Sequence, residues 1–245
     1  MYISTLLTIS FVVTFAMSAF AQKSFETDTI KTSAGDLEIT FIGHASLMFK
    51  FNNKIIDIDP VSREADYSQF PKADLILVTH EHPDHFDPKV INLLKTKKTI
   101  LVLTEKCYEQ IKEGIVMKNG DTKILDGLKI DAVPAYNIVH KRDSGQPFHP
   151  KGVGNGYIIT IGNKRVYVAG DTENIPEMKA LKNIDIAFLP MNLPYTMTPE
   201  MVADAAKVFK PKILYPYHYG DTDPNKLVQS LKDVKGIDVR IRPMR

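Results

Sequence analysis

The run Thr79-His80-Glu81-His82-Pro83-Asp84-His85 constrains this chain more than any other feature, and it follows directly on an apolar stretch at 75–78. It takes three of the seven histidines in 245 residues. A strand sends alternate side chains to one face, so His80 and His82 project together from its end. Pro83 turns the chain, and Asp84 and His85 approach from another side. Two ligand pairs this close, aimed differently, suit two neighbouring metal ions better than one tetrahedral ion. A merely solvated His-rich loop explains neither the strand before the run nor the helix start after it, where Asp87 is the N-cap and Pro88 the first helical residue. The fold must therefore open a strand end onto a site, as layered α/β proteins do.

Further candidates lie at similar places. Asp171 follows the apolar run 166–169, and His218 ends the run 213–217. The long loop 134–156 carries both His140 and His149, and the residues alone leave either open as a ligand. His44, near a strand end, is either satisfied by backbone or faces a pocket. The single cysteine, Cys107, excludes an intramolecular disulfide and belongs to no ligand motif. Nitrogen and oxygen donors alone suit zinc, and also manganese or iron.

These motifs resemble the metallo-β-lactamase-fold hydrolases. The T-H-x-H-x-D-H run after an apolar strand is their signature. Tyr167-Val168-Ala169-Gly170-Asp171-Thr172 is similar to their strand ending in G-D-T, and Phe148-His149-Pro150 to the third His of their first metal site. Tyr215-Pro216-Tyr217-His218-Tyr219-Gly220 resembles the late strand with the last His ligand. Phe41-Ile42-Gly43-His44-Ala45-Ser46 and Ile58-Asp59-Pro60 resemble the branch of L-ascorbate-6-phosphate lactonase-like and related metal-dependent hydrolases. The resemblance spans about 37 to 245 and implies an α/β fold of mixed sheets, an αββα sandwich. It implies two divalent ions, zinc first, one on His80, His82 and His149, the other on Asp84, His85 and His218, with Asp171 between them. It favours His149 over His140.

The same resemblance implies hydrolysis of an ester, lactone, amide or phosphodiester bond, with a metal-bridging hydroxide as nucleophile and Asp84 and Asp171 as catalytic carboxylates. Two dications less two carboxylates and a hydroxide leave the site positive, which favours a small anionic substrate. Asp59 is expected to support a ligand His, and Glu81, on the opposite face, to take no part. A class B-type β-lactamase is the nearest rival, and Asp171 argues against it. An inactive metal-binding scaffold is the rival of another kind, but all seven ligand positions are filled. Candidate substrate contacts are His44, Asn137, Lys151 and Tyr195, with Lys141, Arg142 and Thr196 beside them. The loop 59–73, with Arg63, Tyr67 and Phe70, is expected to wall the pocket with 134–156.

A net charge of +2 argues against nucleic acid as partner. Residues 1–21 are uncharged and mostly apolar, ending in Ala19-Phe20-Ala21, and read as a signal peptide for export to the periplasm or beyond. After cleavage no membrane contact is expected; an uncleaved anchor is the alternative. Residues 22–36 read as a polar tail or a first edge, and 37–245 as one catalytic domain. Strands are predicted at 37–42, 46–51, 54–58, 75–79, 99–103, 123–125, 128–133, 157–161, 165–169, 184–189, 212–217 and 239–241. Helices are predicted at 88–95, 104–113, 199–209 and from 224.

Overall fold

The computed structural model describes residues 25–245, so the segment 1–21 read above as a signal peptide lies outside the described residues. The first half opens as an antiparallel meander of β1 (Glu26–Thr32), β2 (Gly35–Gly43), β3 (Ser46–Phe51) and β4 (Lys54–Ile58). Asn52 and Asn53, both at positive φ, make the expected two-residue turn. Then β5 (Leu75–Leu77), β6 (Ile100–Leu103) and β7 (Ile115–Val116) add in parallel. Two helices provide the crossovers, α1 (Pro88–Leu94) and α2 (Glu105–Ile111). Asp87 caps α1 by accepting from the amides of Lys89 and Val90, and Thr104 caps α2 by accepting from that of Cys107.

The second half repeats the plan. β8 (Thr122–Leu125), β9 (Leu128–Ala135), β10 (Gly154–Ile161) and β11 (Lys164–Val168) are antiparallel. β12 (Ile186–Pro190), β13 (Ile213–Tyr217) and β14 (Asp238–Val239) follow in parallel. The helices here are α3 (Pro176–Lys179), α4 (Pro199–Phe209) and α5 (Asn225–Leu231). Each half is thus one seven-stranded sheet, four strands antiparallel and three parallel.

Alternation along the strands builds the core. Leu37, Ile39 and Phe41 of β2 and Phe49 of β3 point between the sheets, where Phe188 of β12 meets Phe41 and Phe49 at 6.3 and 5.8 Å. Each such side chain stabilises the fold by about 1.5–3 kcal/mol. A smaller apolar cluster fills the other face of the first sheet, where Ile76 and Leu103 lie under Val90, Ile91 and Leu94 of α1 and Cys107 of α2. On the second sheet, α4 and α5 supply Val202, Phe209, Leu227 and Leu231 to the main core. The layers run αββα, the sandwich the resemblance implies.

The first sheet has two further features. Of the two readings of the segment before residue 37, a tail or a first edge, the structure shows the edge: it contains β1, which pairs along its whole length with β2 and is tied down by Asp28, whose carboxylate takes the Arg242 guanidinium at 2.8 and 2.9 Å. As an edge strand with Ile30 its one buried residue, β1 carries too little apolar patterning to announce itself. Asp57 is the second. It points away from the main core, opposite Ile56 and Ile58, and is wholly buried with no hydrogen-bond partner among the described residues. Burial pushes its pKa up to about 8.

Candidate metal centre

The ends of β2, β4, β5, β11 and β13 and the loop between β9 and β10 converge on one cleft. His80 Nε2 and His149 Nε2 approach His82 Nδ1 at 3.1 and 3.2 Å. Asp171 extends one oxygen to this group, Oδ2 lying 3.2 Å from His149 Nε2 and 3.9 Å from His80 Nε2. Its other oxygen, Oδ1, lies 3.3 Å from His85 Nε2 and 3.4 Å from His218 Nε2. Asp84 Oδ2 completes the second group, 3.5 Å from His218 Nε2 and 3.2 Å from His44 Nε2. The donor atoms of His80, His82, His149 and Asp171 lie within 4.8 Å of one another, and so do those of His44, Asp84, His85 and His218.

Buried polar atoms normally find partners. Here His85 Nε2, His218 Nε2 and Asp171 Oδ1 have none among the described residues, although all are buried. On three of the rings the other nitrogen is held from behind, whereas both nitrogens of His218 lack a partner among the described residues. His85 Nδ1 donates to Asp59 Oδ2 at 2.8 Å, His149 Nδ1 to Asn137 Oδ1 at 2.7 Å and His80 Nδ1 to Thr79 Oγ1 at 3.1 Å. Thr79 in turn donates its hydroxyl to Asp59 Oδ2 at 2.6 Å. Each ring so held turns an unprotonated Nε2 inward. Lone pairs crowding on two points are what a cation at each would satisfy, and the residues present fit a pair of divalent ions.

The electrostatics agree. Burial, reinforced by neighbouring imidazoles, holds His80 well below the usual histidine range and also lowers His82 and His218, so these rings stay neutral. Burial pushes Asp84 up, but the His218 and His44 imidazoles beside it outweigh burial. Burial also opposes the charge on Asp171, and His218, His85 and His149 outweigh it there. Both carboxylates stay ionised. His85 is the exception: burial works against a proton on it, yet Asp171 and Asp59 raise its pKa well above that of a free imidazole, so a cation at its Nε2 would have to displace a proton.

Backbone conformation serves the same end. His44, Asp59 and His218 all adopt positive φ, a conformation non-glycine residues rarely take. At Gly170, φ is +63°, and a Cβ would meet the Asn155 carbonyl oxygen at 2.7 Å. Only glycine lets β11 pass Asn155 and deliver Asp171 to the cleft.

The seven predicted ligands, His80, His82, Asp84, His85, His149, Asp171 and His218, all fall within these two groups. His140 does not; its Nδ1 lies 2.8 Å from Glu173 Oε1. His44 lines the cleft, its ring tilted 40° against that of His218 with centroids 3.8 Å apart, and its backbone oxygen also accepts from the His218 amide. Tyr195 lines it too. Asn137 is not free for substrate, because its oxygen holds His149 and its amide donates to Glu173 and to the Tyr195 carbonyl. Lys151 pairs with Glu177 at 2.8 Å and covers the Tyr136 ring. Thr196 is buried and fastens the turn at Asn192. Of the expected basic residues only Arg142 lines the cleft, joined from the loop 59–73 by Arg63. Tyr67 and Phe70 of that loop stack on each other at 4.6 Å beside the outer cluster. Glu173 is the residue sequence reading missed. Fully buried, it accepts from the amides of Ile138, Val139 and His140, each at 2.7 Å, and so fixes the loop that carries Asn137. Its place directly after G-D-T was the one available signal.

Residues 38–218 match the family model of the beta-lactamase superfamily domain. The chain belongs to the beta-lactamase superfamily. Its relatives include a UPF0173 metal-dependent hydrolase of Nanoarchaeum equitans, 33% identical over 75% of this chain and 84% of that protein. Another, from Methanoculleus marisnigri, is 32% identical over 81% of this chain and 87% of its own length. Among solved structures, a candidate metal-dependent hydrolase of Parabacteroides distasonis is 54% identical, with a TM-score of 0.87 over 91% of this chain and 100% of that one. A metallo hydrolase of Ignicoccus hospitalis is 28% identical, with a TM-score of 0.69 over 85% of this chain and 96% of that one. A metallo-beta-lactamase fold protein of Bacillus subtilis, 16% identical with a TM-score of 0.68 over 84% and 95% of the two chains, shares the fold. This superfamily member is accordingly a metal-dependent hydrolase of the metallo-β-lactamase fold, with two groups of residues that can hold metal.

Proposed function

We propose that this protein is an exported binuclear hydrolase of a small anionic ester, lactone, amide or phosphodiester. One observation carries the reading: the two oxygens of Asp171 face two separate ligand groups, 3.2 Å from His149 on one side and 3.3 Å from His85 on the other. In this reading His80, His82 and His149 hold one ion, Asp84, His85 and His218 the other, and Asp171 both. Two divalent ions, zinc foremost, supply a water-derived nucleophile at neutral pH and polarise the bond to be cleaved. The protein's part is positioning. Asp59 and Asn137 keep their histidines in the tautomer that leaves Nε2 free. Asp84, less buried than Asp171 and open to the cleft, is the carboxylate placed to take a proton and pass it towards solvent. The His44 ring against Asp84 holds that carboxylate's direction.

Export is supported by the uncharged, apolar segment at 1–21. Turnover of a panel of ester, lactone, phosphodiester and cephalosporin substrates, before and after chelation and metal restoration, tests the function. Activity on one class that vanishes and returns with metal is expected. Activity indifferent to chelation, or confined to cephalosporins, would contradict the reading.

A further inference from the structure

Beyond its ligands, the cleft is shaped by the side chains that rise above them. It encloses about 480 Å³, and its walls include Arg63, Arg142, Phe148, Asn192 and Tyr195. Asp84 and Asp171, both assigned to metal, are the only acidic residues lining it. A pair of divalent ions would leave the floor positive, and the Arg142 guanidinium adds to that, while Glu64, 3.0 Å away, offsets part of the charge on Arg63. Low-dielectric walls focus such a field on anything entering.

The arginines come from different loops. Arg63 follows β4; its Nε donates to Glu64 Oε1 at 3.0 Å, and no other hydrogen bond from its guanidinium is found among the described residues. Arg142 comes from the loop between β9 and β10. Its guanidinium carbon lies 5.1 Å over the Phe148 ring, and its Nη2 donates to the Phe148 carbonyl at 3.4 Å. Phe148 in turn meets Tyr195 edge to face at 5.1 Å. An arginine laid on an aromatic ring loses less freedom when it binds, and its remaining N–H groups form a fork suited to a planar or tetrahedral oxyanion.

We infer that Arg63 and Arg142 form an oxyanion subsite at the mouth of the cleft. The substrate carries a carboxylate or phosphate group remote from the bond that is cleaved, joined to it by a segment lying along Phe148 and Tyr195. This rests on the binuclear reading above and adds to it a second point of recognition that the metals do not provide.

Hydroxamates test the two claims separately, because a hydroxamate binds the metal pair while its tail probes the mouth. The zinc-loaded mature protein is titrated calorimetrically with alkyl hydroxamates ending in methyl, carboxylate or phosphonate, over a short series of chain lengths. At one length the terminal anion is expected to tighten binding by roughly ten- to hundredfold over the methyl-ended parent. The double variant Arg63→Ala/Arg142→Ala should lose that gain while keeping the parent's affinity and its metal content. A larger gain for phosphonate points to a phosphate-bearing substrate, and one confined to carboxylate to a carboxylate. Equal binding of all tails, or a gain that survives in the double variant, would overturn the subsite and leave the metal centre standing. Failure of every hydroxamate to bind would overturn the metal centre, and the subsite with it.

Discussion

At the scale of single residues, the cleft works through partners that never touch a metal. Asp59 accepts from His85, from the Thr79 hydroxyl and from the Thr79 amide, and so fixes one ligand directly and the support of another. Asp59→Ala should therefore weaken metal binding by roughly 10- to 100-fold without removing a ligand, read by competition with a chromogenic chelator; unchanged affinity would reduce Asp59 to a turn residue. His149→Ala should lose metal while His140→Ala should keep it, by the same assay. The candidate ligands that the fold gathers were legible in the sequence because metal chemistry restricts residue type and because the motifs end apolar strands. The supports could not. Asn137, in a loop beside His140, offered the side chain of a substrate contact, and only the chain's return at His149 turns it into a hydrogen-bond acceptor for a ligand. Lys151 was misjudged for the converse reason: Glu177, far off in sequence, claims its charge.

Among the elements, strands with strong alternation and helices with caps were foreseen closely. α4 spans the residues that the Thr198 cap and Pro199 announce, and both two-residue turns, at Asn52-Asn53 and at Gly162-Asn163, stand where expected. What escaped was short: β7 and α3 bury too few side chains to impose a period, and β1, with one buried residue, left tail and edge strand equally open. β4 shows what a period cannot reveal, since Asp57 takes a buried position where an apolar residue belongs. Its carboxyl, pushed to about 8 in the folded chain, binds a proton that the unfolded chain releases near 4. Between those values the folded state holds more protons than the unfolded, so stability falls as pH rises. Asp57→Asn should flatten this slope and raise stability at pH 8 by roughly 1 kcal/mol or more. Denaturant melts at pH 5 and pH 8 would show it; equal slopes in the two proteins would contradict the assignment.

The whole molecule is two sheets of like plan, and the cleft takes something from each. The first supplies His44, His80, His82, Asp84 and His85, the second His149, Asp171 and His218. Asp59 and Asp171 even hold corresponding places, each after the fourth strand of its sheet. No repeat was visible in the sequence, because the likeness lies in strand order and direction rather than in residues. A cation held by both halves ties them together, so removing metal should lower the melting temperature. At a hundredfold excess over the dissociation constant each site contributes about 2.7 kcal/mol; calorimetry with and without chelator measures this, and coincident melts would argue against ligands shared between the halves. Everything proposed for the cleft depends on a pair of ions sharing Asp171. Elemental analysis of the metal-loaded protein, beside Asp171→Ala, decides it. Two divalent ions per chain are expected, and one or none in a variant that still folds. A single ion in the parent protein, or two retained without Asp171, would contradict it.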